Sequence, residues 1–411
     1  MNYCKQRWLT AAVSCTLLAA IGCSEELTLE TCDVRKTSCQ HAIFLAVQDV
    51  RGSTWDPWLD LPPMRVISKA QYRAELEASR SVPDGRFDYY TAALKLLHLI
   101  DPNEAPEGKL DFDAEFAAAL YTPATASITI IDRGSETDRQ QDVDILAHEL
   151  VHAAQDRDIG FARLQHGFQT AEQFNALGTV IEGEARWYEY LINLKQRGLG
   201  VDDIDWPAHY GKVIATERTG VAESPSPIRP AQVALRYALG ASYFTSAYVA
   251  GGPLAVRRAF RDRPTATAAF MTPPMQPREP VASLSCSERA VPADFELQFT
   301  EHLGGYGAFA FGTRVFEVAS DAWQFASELS GDWLALYTSA SDQVTLLWTL
   351  QFRTATAAEA LHEAVRASAF VPALQTTLQG RVVHIFVDGR ATLGTEPAFS
   401  GWPECREQFD F

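Results

Sequence analysis

The chain is short of positive charge, of histidine and of long apolar runs, and each shortage narrows what it can be. Against 52 acidic residues it carries 35 Lys and Arg, a formal charge of −17. Nucleic-acid surfaces need clustered Lys and Arg to meet phosphates, and no basic run occurs anywhere, so nucleic acid is excluded as a partner. The apolar run near the N-terminus, WLTAAVSCTLLAAIG, has 15 residues, too few to cross a bilayer comfortably as a permanent helix. No cysteine pair has CxxC spacing, which argues against a cysteine zinc site. Nor is there an internal repeat or a low-complexity tract. Histidine is limited to nine residues in 411. A chance HExxH would therefore arise in roughly one chain of this composition in a hundred. What the chain does have is core material: 47% apolar residues, 22 of them Phe, which excludes wholesale disorder.

The N-terminus indicates export. MNYCKQRW carries Lys5 and Arg7 and no acid, and the 15-residue apolar run follows. It ends in AAIGC, which resembles the lipobox of bacterial lipoproteins although Ala20 stands where Leu is commoner. That resemblance implies removal of residues 1–22 and a lipid on Cys23, anchoring the chain to a membrane at the cell envelope. Plain secretion after nearby cleavage is the alternative. Removal would leave 33 basic against 52 acidic residues, or −19. Cys4, Cys15 and Cys23 belong to this leader. Cys32, Cys39, Cys286 and Cys405 remain, an even number that in an oxidising compartment suggests disulfides with three possible connectivities. Cys32 and Cys39 are close in sequence and are expected to pair, leaving Cys286 and Cys405 to brace the C-terminal part.

The fold class expected is α+β, with two units in keeping with the length. Residues 23–270 read as a mainly helical unit, 271–284 as a proline-rich linker, and 285–411 as a smaller α+β unit. Within the first, YYTAALKLLHLI and DFDAEFAAALY have helical periodicity. ASITIIDRG reads as a short β-branched strand. Helices are expected over about 170–196 and 230–249, the latter ended by Gly251-Gly252. In the second unit QVTLLWTLQF alternates strictly, a half-buried strand with DWLALYT as hairpin partner. TAAEALHEAVRAS then reads as helix and RVVHIFVDG as strand, completing a ββαβ pattern.

The chemistry concentrates in DILAHELVHAAQD, residues 144–156. At about 100° per residue, His148 and His152 lie about 40° apart on one helix face. Two imidazoles one turn apart can grip one Zn²⁺ at about 2.0–2.1 Å each. Glu149 turns about 100° from His148 and can reach a water beside the metal without being a ligand. Val143, Leu146, Leu150 and Ala154 gather on another arc suited to a core. An amphipathic helix with solvated His and Glu is the bland alternative.

A catalytic zinc needs a third protein ligand and an open position. Asp158 lies six residues after His152, the place of the last ligand in HExxHxxGxxH/D zincins, but Gln155 stands where that class needs Gly. His166 lies at no recognisable spacing. Glu182, in TVIEGEARWYEY, is 30 residues downstream on the next long helix. There Leu177, Val180, Trp187 and Leu191 form an apolar arc that includes Glu184, whereas Glu182 projects oppositely with Asn175 and Arg186. Glu182 is thus the leading candidate, with a surface Glu182–Arg186 pair as the competing reading.

HELVH followed by EGEA resembles the gluzincin metallopeptidases, in which HExxH supplies two His and a later helix supplies Glu. HELVHAAQD is also similar to a HELxHALQD-like run in bacterial lipoprotein homologues of that group. Further similarity lies in ALYTPATASITIID and in RYALGASYFTSAYVAGG, and the likeness spans about residues 115–260. RPTATAAFMTPP departs from the family, lacking its Ser-Thr-Glu-Gln and His-Pro run. The resemblance implies a zincin-like fold and zinc held by His148, His152 and Glu182. It implies Glu149 as general base and Tyr237, with Tyr243 as competitor, as the oxyanion donor. The substrate would be a peptide or protein, aligned on the strand Ser127–Ile131 by β-augmentation. A non-catalytic envelope lipoprotein, using the same scaffold to bind a peptide or partner, is the competing class.

Overall fold

The computed structural model describes residues 32–52, 60–79, 89–103, 117–134, 139–161, 170–274, 283–286, 295–340, 343–368, 374–388 and 405–408, together with 29, 164, 276 and 281. The first part of the chain contributes α1 (Thr37–Arg51), β1 (Met64–Ser68), α2 (Lys69–Ser79), α3 (Tyr89–Leu96), β2 (Ala119–Thr122) and β3 (Ser127–Asp132). Four long helices follow: α4 (Arg139–Ile159), α5 (Ala171–Gln196), α6 (Trp206–Glu223) and α7 (Ile228–Arg261). The last part comprises β4 (Ser283–Cys286), β5 (Phe295–Glu301), α8 (Gly304–Val315), α9 (Ala319–Ser327), β6 (Leu329–Ser339) and β7 (Val344–Phe352). It ends with α10 (Ala355–Ala367), β8 (Leu374–Gln379), β9 (Val382–Asp388) and β10 (Cys405–Gln408). The class is α+β. Cys23 and His166 lie outside the described residues.

Helix α5 is the axle. It starts where Thr170 accepts a hydrogen bond from the Gln173 amide, an N-cap, and it is buried around most of its circumference. It crosses α7 at two glycines. A Cβ on Gly240 would sit 2.1 Å from the Thr179 carbonyl oxygen, and one on Gly183 would sit 2.3 Å from Gly240 backbone. Only two hydrogens facing each other allow this backbone approach. The crossing presses Glu182, the neighbour of Gly183, towards Tyr237, three residues before Gly240. Helix α4 packs alongside, burying Val143, Leu146, Leu150 and Ala154 to 1% exposure or less. Each such large apolar side chain is worth roughly 1.5–3 kcal/mol.

The strand Ser127–Asp132 forms as its β-branched residues predict, with Ile128 and Ile130 in the main core. It is the middle strand of a three-stranded sheet, parallel to β1 on one side and antiparallel to β2 on the other. Two expectations are thereby corrected. With both edges occupied, Ser127–Ile131 has no free edge on which to align a peptide; the edge beside the α4 helix belongs to β2. And the helical periodicity of DFDAEFAAALY does not carry through, since Ala119–Thr122 is β2. Pairing with β3 overrides a helix propensity worth only tenths of a kcal/mol per residue. Residues 111–116 of that stretch lie outside the described residues.

Helix α7 does not end at Gly251-Gly252 as its sequence suggests. Gly252 adopts φ 64°, ψ −158° and kinks the chain, and Pro253 starts a second helical segment that runs to Arg261. Helices α6, α8 and α9 were not anticipated. The signal for α6 was present in DWP: Asp205 caps the Ala208 amide at 3.1 Å and Pro207 occupies the first turn.

The C-terminal strands form an antiparallel sheet of order β5-β6-β7-β9-β8, and β4 pairs with β10 in a separate ribbon. The hairpin β6–β7, the helix α10 and the strand β9 occupy the ββαβ positions read from the sequence. Strand β7 is buried on both faces rather than one. Leu346, Trp348 and Leu350 enter the main core, while Leu347 joins Leu284, Phe295, Trp333 and Tyr337 on the other side. Buried side chains on both sides of residues 271–284 belong to one continuous cluster. Polar bonds join them as well. Asp332 accepts from the amides of Leu303 and Gly304 at the start of α8 and from Trp348 Nε1, all within 3.1 Å. Glu172, in the first turn of α5, accepts from the Thr267 amide at 2.6 Å and the Thr267 hydroxyl at 2.8 Å.

Both expected disulfides are present, Cys32–Cys39 and Cys286–Cys405, the latter between directly opposed residues of β4 and β10. They indicate an oxidising compartment outside the cytoplasm. No helix among the described residues is long and apolar enough to cross a membrane.

Candidate metal centre

The α4 helix carries His148 and His152 on the face turned to α5, and α5 brings Glu182 against both. Glu182 Oε2 lies 3.0 Å from His148 Nε2 and 3.3 Å from His152 Nε2. One donor atom from each of the three residues lies within 4.8 Å of the others, a spacing that one cation can bridge. Both imidazoles are buried, and the Glu182 side chain is 23% exposed, so the cluster opens to solvent on the carboxylate side.

Behind the cluster, the other nitrogen of His152 is hydrogen-bonded and that of His148 faces a carboxylate. Gln155 Oε1 lies 2.8 Å from His152 Nδ1, and the same amide donates to the Ile181 carbonyl and to Glu184 Oε2. With its amide nitrogen committed to two acceptors, Gln155 presents oxygen to His152. Nδ1 therefore donates to Gln155, and Nε2 is the nitrogen that faces Glu182. Glu189 Oε2 stands 3.5 Å from His148 Nδ1, an ion-pair distance too long for a strong hydrogen bond, and Glu189 is itself held by Arg186. Glu149 is buried next to these groups and accepts the Tyr121 amide of β2 at 2.6 Å.

The electrostatics favour positive charge at this point. Burial disfavours an imidazolium at His148, but the Glu182 and Glu189 carboxylates outweigh it and raise its pKa to about 10. His152 is raised for the same reasons, burial opposing and Glu182 prevailing. Burial also opposes charge on Glu182, yet the two imidazoles hold its carboxyl well below the usual range. Glu149 moves upward, mainly through burial. Two imidazole nitrogens, which give up their protons to a metal, with one carboxylate and two further acids around them form a donor set that suits a divalent cation, and zinc in particular.

The other sequence candidates fall elsewhere. Asp158 pairs with Arg51 at 3.3 Å, on the far side of Gln155. Glu184 is 2% exposed and pairs with the same Arg51 guanidinium at 3.2 Å. Arg186 reaches Glu189 and lies over the Tyr190 ring, so the surface Glu182–Arg186 pair does not form. Tyr237 stands beside the cluster: its ring centroid is 5.6 Å from that of His148 and its hydroxyl is within hydrogen-bonding reach of Glu182. Burial and the adjacent carboxylates raise its pKa, keeping the phenol protonated. Tyr243 instead donates to the Ala259 carbonyl at 2.9 Å and packs on Phe244 and Phe270. Sequence reading missed Gln155, which holds His152, and Glu189, whose carboxylate faces His148. Glu189 was findable, since seven residues after Glu182 is two helical turns and nearly the same face.

Compared with protein-family models, with curated proteins and with solved structures, the chain matches none.

Proposed function

We propose that this chain is a zinc-dependent peptidase of gluzincin type, with a zincin-like fold in its helical part, that hydrolyses peptide bonds at the cell envelope. The observation that carries this reading is the meeting of His148 Nε2, His152 Nε2 and Glu182 Oε2 at one point, with Glu149 beside them. His148, His152 and Glu182 would hold the metal. Bound there, zinc would supply Lewis acidity, bringing the pKa of water towards about 7 and polarising the scissile carbonyl.

Everything else is work for the chain's own side chains. Gln155 and Glu189 orient the imidazoles. Glu149 takes the proton of the attacking water on its carboxylate and delivers it to the leaving amine. Burial raises its pKa, which favours holding the proton between the two transfers. Tyr237, protonated and half-buried, donates to the oxyanion developing on the attacked carbonyl. An extended peptide would run along the edge of β2, next to Tyr121 and Glu149. The leader and the two disulfides support an envelope location, and the AAIGC motif supports a lipid on Cys23.

The test compares zinc-supplied wild type with Glu149→Gln on a peptide library, with elemental analysis of both. Cleavage should fall by roughly 10²–10⁴-fold in the variant at unchanged zinc content. Folded, zinc-supplied protein without zinc, or a Glu149→Gln variant as active as wild type, would overturn the reading. Mass spectrometry of the mature N-terminus tests the anchor: an acylated Cys23 is expected, and an unmodified start elsewhere refutes it.

A further inference from the structure

Two hollows share one wall, and the first of them borders the metal cluster. The first, about 200 Å³, is bounded by Tyr121, His152, Phe161 and Glu182; the second, about 400 Å³, by Tyr90, Thr170, Gln232 and Glu301. Phe174 and Arg236 line both. A group leaving the cluster along this line therefore passes the Arg236 guanidinium.

Arg236 is unusual in its partners. Its hydrogen bond to the protein goes from Nη2 to Asn175 Oδ1, a neutral acceptor, and its guanidinium lies over the Phe174 ring at 5.2 Å. Nε is buried with no hydrogen-bond partner. Among the described residues no carboxylate comes within ion-pair distance of it, although the chain has 52 acids for 35 bases. An enclosed cation without a counter-ion is costly to keep, and a planar guanidinium fits a carboxylate through two parallel bonds. The neighbouring helix is shaped around it: a Cβ at Gly178 would sit 2.9 Å from Arg236 Nε. Arg236 also directly precedes Tyr237 on α7, so one turn of helix presents a hydroxyl at the cluster and a cation along the hollow.

We infer that Arg236 receives a carboxylate of the substrate, making the preferred substrates peptides that carry a negative charge close to the scissile bond. The inference rests on the peptidase reading of the cluster. The carboxylate has two sources, the free C-terminus of a short leaving segment or an Asp or Glu side chain. Rooms of about 200 and 400 Å³ are on the scale of a small ligand rather than of a long polypeptide.

The experiment uses the full zinc-loaded chain and fluorescent peptides in matched pairs: free C-terminus against amide, and Asp against Asn. KM and kcat are measured on active protein and Kd on Glu149→Gln. The charged member of at least one pair should bind roughly ten- to a hundredfold more tightly. Which pair shows the effect identifies the source. Arg236→Gln should abolish the difference while leaving zinc content and thermal melting near wild type. Gly178→Ala, which displaces the guanidinium without removing its charge, should reduce it. Equal binding of both members of every pair, binding of neither at millimolar concentration, or a preference that survives Arg236→Gln would overturn the inference. Hydrolysis without the preference sinks this inference alone. Preference in binding without hydrolysis of any peptide upholds the carboxylate site and sinks the peptidase reading.

Discussion

Replacing Glu184 by alanine should unfold the protein more easily without emptying the metal site. The Arg51 side chain is 7% exposed and the Glu184 side chain 2%, and they meet at 3.2 Å. Removing one partner of a buried ion pair typically costs about 3–5 kcal/mol, because the other charge stays behind uncompensated. Arg51 keeps Asp158 at 3.3 Å, but that side chain is 46% exposed, which points to the lower end, about 3 kcal/mol. Arg51 Nε and Nη1 have no other hydrogen-bond partner to fall back on. Gln155 loses one of its two acceptors, for about 1 kcal/mol more. With an unfolding entropy of about 2.1 cal/mol/K per residue, a chain of 411 residues converts about 4 kcal/mol into a Tm drop of about 4–5 °C. Melting curves of metal-free and zinc-loaded protein give the shift, and chelator competition gives the affinity. Affinity should fall at most about tenfold, through the loosened Gln155. The double variant Arg51→Met/Glu184→Leu should regain most of the lost stability, since a buried ion pair is replaceable by apolar residues of similar volume. A Glu184→Ala protein that melts like wild type, or a double variant no better than the single, would refute the reasoning.

Three further outcomes follow from the geometry. Glu182→Ala should weaken zinc binding by more than about a hundredfold while Asp158→Ala leaves it unchanged; a chelator titration in which only Asp158→Ala releases the metal would mean that the third ligand is misassigned. Gly240→Ala should force α5 and α7 apart, costing several kcal/mol by denaturant unfolding and lowering zinc affinity, because its Cβ would meet the Thr179 carbonyl at 2.1 Å; a well-folded variant with normal affinity contradicts the backbone contact. Glu172 links stability to pH: burial first, and then Asp332, raise its pKa from 4.5 to about 8. Its folded pKa lies above the unfolded one, so the native state holds the proton through this window. The associated stability is present below about pH 4.5 and lost as pH rises towards about 8, by at most about 4–5 kcal/mol. Urea midpoints of wild type should therefore fall across that range relative to Glu172→Gln, and parallel curves would show that Glu172 is already ionised at the lower end.

Local periodicity made a good part of this molecule legible. The 3.6-residue repeat separates the His148–His152 face from the Val143–Leu146–Leu150 face within α4 itself, and it turns Glu182 and Glu184 to different sides of α5. The β-branched run of β3, the alternation of β7 and the pairing of Cys32 with Cys39 are likewise local. Contacts between elements are another matter, because they depend on how two surfaces meet. That Ala119–Thr122 is a strand follows from β3 lying beside it; that β3 cannot receive a peptide follows from β1 occupying its other edge. Tyr237 and Tyr243 are six residues apart on one helix; the crossing of α7 over α5 at Gly240 and Gly183 sets the first beside His148, whereas the kink of α7 at Gly252 brings the Ala259 carbonyl to the second. Gln155 looked like the residue that breaks a zincin turn. The fold makes it the tether of His152, because α5 supplies the Ile181 carbonyl and Glu184 that fix which end of its amide faces the ring.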